Sequence, residues 1–289
     1  MRPYVTEPDV RGCVICVKPT LLTPLVVGAL AASTSPPAPH TPLPHGAARL
    51  AQALARTRAA ARTDVKAWIR SRRAALPARV TLEVLYEQRI ERKLAAQPRL
   101  ARAVLGRLPA AVASQVRDEV TAQRELQRLA RPIPLSAVRV GRALPPRLLL
   151  RYYRQAQRRF HVRWEVLAAV NFVESAFNKL RSRSAAGAQG PMQFLPSSWR
   201  RYGLGGDVHD PHDAILGAAN YLHAAGAPRN YRRALFAYNP SALYVDAVLR
   251  YARRIERDRR AYFDYYSRQV FVRTPAGIRR VTGPGLQRR

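Results

Sequence analysis

With 289 residues and 47% apolar content, the chain has enough material for a real core, which excludes a wholly disordered protein. A formal net charge of +32 comes almost entirely from arginine, since Lys18, Lys66, Lys93 and Lys179 are the only lysines, and with so much alanine it also fits a GC-rich genome. Such a charge implies polyanionic surroundings, whether nucleic acid, acidic lipid or wall polymer, and says nothing about fold. The cysteines, Cys13 and Cys16, form a C-x-x-C with no second ligand pair after it, which argues against a structural zinc site.

In chain order, Arg11 and Lys18 precede an apolar run from Leu21 to Ala32 that is short for a bilayer span, with Ala29-Leu30-Ala31 as a small-x-small cleavage site. Residues 1–31 therefore read as a secretory signal, with an uncleaved membrane anchor as the alternative, and the protein is expected outside the cytoplasm. Residues 32–46, rich in proline, read as an extended linker. Residues 47–131 carry helical spacing, with Val112, Val116 and Val120 four apart and Leu126 and Leu129 continuing that face. This basic helical region is either a solvated bundle or an electrostatic attachment to anionic wall polymers or a membrane surface. Pro132, Pro134, Pro145 and Pro146 mark a second linker over 132–146, and a new helical series fills 147–258. In the extension 259–289, two short β-prone runs flank Thr274-Pro275-Ala276-Gly277 and predict a hairpin packed on the rest. The expected fold is mainly α, a helical domain preceded by a helical region and followed by a short β-hairpin.

Spacing predicts a helix over 163–180 with Val166, Val170, Val173 and Phe177 on one face. Glu174 borders that apolar stripe, where burial raises a carboxyl pKa and lets it keep a proton near neutral pH. Periodicity alone leaves a structural glutamate as the commoner case. Ser184 to Gly190 carries two glycines where backbone must turn, and Pro191 suits the start of a short helix. Pro240 holds Asn239 extended beyond Tyr238 at a helix end. Asp207, His209, Asp210, His212 and Asp213 invite a metal, but their spacing fits no metal motif and Asp210-Pro211 with Asp213 is a helix N-terminus.

Glu174-Ser175, then Gly190-Pro191-Met192-Gln193-Phe194, then Ala237-Tyr238-Asn239 resemble, in order and separation, the soluble lytic transglycosylases of the lysozyme-like superfamily. The likeness covers roughly residues 145–258. It implies a lysozyme-like domain that cleaves peptidoglycan glycan strands, with Glu174 as the single acid/base and Ser175, Ser184, Met192, Gln193, Tyr238 and Asn239 contacting saccharide. It implies no metal and no cofactor. One rival keeps fold and substrate but hydrolyses as goose-type lysozymes do, with Asp207 or Asp210 activating water. Another is a non-catalytic polyanion-binding protein. The sequence shows neither a helix-turn-helix nor an aromatic-basic platform for specific nucleic acid.

Overall fold

The computed structural model describes residues 35–286. The predicted signal at 1–31 and the two cysteines lie outside the described residues. From Ala47 the chain builds α1 (Ala47–Arg70), α2 (Ala78–Ala96), α3 (Pro98–Leu105) and α4 (Ala110–Leu129). Along α1, Leu50, Leu54, Thr57, Ala61, Val65 and Trp68 are buried, a stripe three and four residues apart that packs on α2. Pro77 and Pro109 stand in extended conformation just before α2 and α4, where a residue without an N–H loses nothing. Among the described residues no helix is long and apolar enough to cross a membrane.

The second half holds α5 (Pro146–Phe160), α6 (Trp164–Ser175), α7 (Pro196–Tyr202), α8 (Pro211–Ala224), α9 (Tyr231–Tyr238), α10 (Ala242–Arg257) and α11 (Arg260–Ser267). α10 packs extensively on both α4 and α6, so one helix joins the two halves. The core is continuous as a result: Val65, Trp68, Val80, Val84 and Ala122 belong to the same buried cluster as Leu167, Val170, Val248 and Tyr262. A second cluster, including Leu50, Leu54, Ile90, Leu94 and Val116, lies within α1–α4 alone. The described residues from Pro36 onward accordingly form one compact unit.

Both proline-rich segments are tied down. Arg89 Nη1 donates to the carbonyl of Thr41 at 2.7 Å and Tyr86 Oη to that of Pro42 at 3.2 Å. In the second segment, Gly141 N donates to Lys179 O at 3.0 Å and Arg181 N to Arg139 O at 2.8 Å. Proline sets backbone stiffness, and these contacts set where the stiff segment lies.

The hairpin forms as β1 (Phe271–Thr274) and antiparallel β2 (Gly277–Arg280), with Thr274 opposite Gly277 and Pro275-Ala276 in the turn. Gly277 takes φ 105°, which a side chain would oppose. A two-stranded sheet is marginal alone. Here the buried Gln88 side chain of α2 acts as a substitute strand, donating to Gln269 O at 2.8 Å and accepting from Gln269 N at 2.9 Å.

Beneath it lies an ion network that crosses the two halves. Arg58 of α1 pairs with Glu87, with Glu91 at 3.1 Å and with Glu119 at 2.7 Å, and Arg268 pairs with Glu91 at 2.8 Å. All are buried. Part of the excess arginine is therefore interior structure rather than surface charge.

Candidate active site

The helix predicted over 163–180 stops at Ser175. Ala176, Phe177 and Asn178 follow in left-handed conformation at φ 50°, 62° and 66°, and Asn178 N donates to Ser175 Oγ at 2.8 Å. Periodicity did not carry that stop because no glycine or proline marks it, and Phe177 is buried despite lying beyond the helix. The three-residue reversal leaves Glu174 in the last turn, half-buried, at the floor of a groove.

Buried polar contacts hold that turn. Tyr153 Oη donates to Asn171 Oδ1 at 2.6 Å, and Asn171 Nδ2 donates to Pro191 O at 2.8 Å. Ser175 Oγ donates to the same carbonyl at 2.6 Å. The pair Asn171 and Ser175 thus clamps α6 to the Gly190–Phe194 turn. Asn171 is absent from the sequence-based reading, although a lone amide in the apolar run 166–173 was the available signal.

Gly190 has φ 76°, and a Cβ there would stand 2.0 Å from Val208 O, so only glycine fits. Pro191 opens a tight turn rather than the short helix expected of it, because Gln189 and Phe194 exchange backbone hydrogen bonds at 3.0 and 2.9 Å and close the segment first. Gln193 sits on this turn at φ 50° with Nε2 donating to Gly190 O at 3.0 Å. Met192 points into the core with no exposed surface, and its carbonyl accepts from Tyr238 Oη at 2.7 Å. Ser184 Oγ accepts from Ala188 N at 3.0 Å and closes the preceding loop. Tyr238 ends α9, edge-on to Phe194 with ring centroids 5.7 Å apart. Asn239 is extended at φ −143°, ψ 113°, as Pro240 requires.

A groove of about 500 Å³ contains Glu174, Ser175 and Asn239 among its lining residues. Ser184, Met192, Gln193 and Tyr238 are not part of that lining, although Tyr238 lies close enough for the Glu174 charge to add to the rise that burial imposes on its phenol. Tyr244, also absent from the sequence-based reading, enters the groove directly. Ser241 caps α10 by accepting from Tyr244 N at 3.4 Å, and from that first turn Tyr244 Oη donates to Glu174 Oε1 at 2.7 Å. A serine two residues after Asn239 was the signal, because it sets the helix start and so the direction of the residue three further on.

Burial pushes the Glu174 carboxyl up to about 7, and the Tyr244 hydrogen bond opposes that only in part. No guanidinium or ammonium pairs with it among the described residues, in a chain of net charge +32. It is also the only carboxylate lining the groove among those residues. Asp210 instead caps α8, accepting from His212 N at 2.8 Å and Asp213 N at 3.1 Å, and Asp207 Oδ1 accepts from His209 N at 2.8 Å. Neither faces the groove.

The family model described as Transglycosylase SLT domain matches residues 151–260. Over that span the chain matches an SLT domain, which supports a lytic transglycosylase of the lysozyme-like superfamily. Comparison with curated proteins and with solved structures finds no match. The matched span runs from α5 through α10 and includes Glu174, Tyr238, Asn239 and Tyr244.

Proposed function

We propose that this protein is a peptidoglycan lytic transglycosylase that breaks the β-1,4 bond between N-acetylmuramic acid and N-acetylglucosamine without water, leaving 1,6-anhydromuramic ends. The observation that carries the reading is that, among the described residues, a single, protonatable carboxyl, unpaired with any cation, lies in the groove of the part matched by the SLT model. Hydrolytic glycosidases of the usual kind need two carboxylates flanking the bond. One suffices when the substrate supplies its own nucleophile.

In this mechanism Glu174 donates its proton to the glycosidic oxygen as the bond to C1 breaks, while the acetamido group of the same sugar stabilises the cationic carbon. The carboxylate so formed then takes the proton of the muramic C6 hydroxyl, whose oxygen closes on C1. Atoms balance with no water consumed, and Glu174 ends protonated. Intramolecular attack of this kind supplies up to roughly 7–11 kcal/mol in favourable geometry. Tyr244 holds one carboxyl oxygen and so directs the other to the bond. Asn239, extended at the groove wall, offers an amide donor and acceptor to an N-acetyl group. Ser175, Ser184, Met192, Gln193 and Tyr238 act mainly by shaping the turn and aromatic wall beside the acid. The site of action is the cell wall, outside the cytoplasm.

Digestion of purified sacculi in oxygen-18 water, followed by mass spectrometry of the fragments, tests the product. Anhydro ends free of label are expected. Label at new muramic reducing ends would replace this reading by a lysozyme-type hydrolase.

A further inference from the structure

Residues 151–260 make only part of the groove. Its opposite wall comes from α2, the end of α4 with the segment to Ile133, and the β1–β2 hairpin, and it carries Arg92, Arg131 and Arg273. Arg92 stands apart from the interior arginines. Arg58 and Arg268 are clamped by carboxylates, whereas no ion pair or hydrogen bond engages the Arg92 side chain among the described residues, and burial alone pushes its pKa down to about 10. Its guanidinium lies over the Phe271 ring at 4.3 Å. Stacking fixes the plane of the fork and leaves its edge free for a planar anion. A partly desolvated cation with no counter-charge is costly, and a carboxylate arriving in the groove would offset that cost with charge-assisted, bidentate hydrogen bonds. Arg131 and Arg273 are exposed nearby on the same wall, Arg273 anchored through Nη1 to Ala130 O at 3.3 Å.

We propose that Arg92, assisted by Arg131 and Arg273, binds a carboxylate of the substrate in the groove that holds Glu174, so that chain segments outside the SLT domain determine which strands are cut. This rests on the reading of Glu174 given above. Two sources share that chemistry: the peptide branch of a substituted strand, and the lactyl carboxylate left when the branch is removed.

The test compares wild type, Arg92→Met and Arg92→Lys on three soluble oligomers of equal length: peptide-bearing glycan, glycan stripped of peptide, and a chitooligosaccharide with no carboxylate. Binding by calorimetry and steady-state KM and kcat are both read. Wild type should favour a carboxylated oligomer over the neutral one by about tenfold to a hundredfold, the range of one charge-assisted contact. Arg92→Met should erase that preference through KM, and Arg92→Lys should keep part of it. Preference confined to the peptide-bearing oligomer assigns the branch carboxylate, and preference shared by the stripped strand assigns the lactyl group. Absence of preference in wild type, or an equal preference in a folded Arg92→Met, overturns the proposal. Arg92-dependent binding without any cleavage would instead overturn the role given to Glu174 and leave the carboxylate site standing.

Discussion

Two regions of this protein bury glutamates, and they do so in opposite ways. In the SLT half, Glu174 has a phenol for company and is held near a pKa of 7 by burial. Across the joint between the halves, burial also works to raise Glu119, but the guanidiniums of Arg58 and Arg268 outweigh it and hold the carboxyl well below its ordinary range. Tyr265 Oη and Arg254 complete that cage at 3.2 and 3.9 Å. The difference lies in the partners, since both sites are desolvated. Glu119, held by the guanidiniums of Arg58 and Arg268, stays ionised and fastens helices together, whereas Glu174, kept from cations, holds a proton that it can give away.

The sharpest way to break this contrast is Glu174→Gln, which keeps shape and the Tyr244 contact but has no proton to cycle. Turnover should fall by at least about a hundredfold, the scale of general acid-base catalysis, and near wild-type fragment release would remove Glu174 from the mechanism. Stability should move the other way. The folded pKa of Glu174 lies above the ordinary 4.5, so the folded state loses stability as pH rises from there through about 7. The variant should therefore melt higher than wild type at about pH 8 and equally at about pH 4, as calorimetry across that range would show.

Glu119→Ala is the converse experiment. It removes one anion from a buried network in which Arg58 keeps Glu87 and Glu91, Arg268 keeps Glu91 and Arg254 keeps Asp258, and removing one partner from a buried ion pair costs about 3–5 kcal/mol. Urea unfolding should show a loss of that size. A loss below about 1 kcal/mol would mean that the network is solvated like a surface salt bridge and does not join the halves.

How much of this was legible in the sequence follows from what kind of interaction fixes each element. The helices of 47–131, the hairpin at Thr274–Gly277 and the Asp210 cap are set by local spacing and turn chemistry, and local pattern shows them. The end of α6 at Ser175 is set by a long-range clamp through Pro191 O, which no local pattern carries. The ion network pairs residues up to 61 positions apart within the helical region and reaches Arg268 beyond it, so an arginine that reads as surface charge turns out to be core. Glu174 was legible through a resemblance spread over three short motifs. Tyr244 and Arg92 belong to none of them, and only the fold brings them to the groove.

Tyr244→Phe probes the phenol. A hydroxyl donated to the ionised carboxylate favours that form, so its removal raises the Glu174 pKa further. Because the acid must start protonated, kcat/KM should decline above pH about 7 in wild type, and in Tyr244→Phe the decline should shift to higher pH. Loss of positioning should lower the plateau by roughly tenfold or less, the scale of one hydrogen bond. A shift to lower pH, or none with a normal plateau, would show that the contact does not govern the acid.

Asp210→Ala carries the smallest expected effect and marks the outer limit of the comparison, a carboxylate neither buried with cations nor facing substrate. Its side chain accepts the N–H groups of His212 and Asp213 at the start of α8, and losing such a cap costs about 1 kcal/mol. Asp213 remains in the first turn, with Oδ2 accepting from Asp207 N at 3.0 Å, so the helix should still form. Thermal melting should register the small loss while turnover on soluble glycan stays within about twofold of wild type, since a change far from the groove leaves the acid and its phenol in place. A large drop in turnover with stability intact would give Asp210 the role of second carboxylate, and the cleavage would then follow the two-carboxylate, water-consuming route.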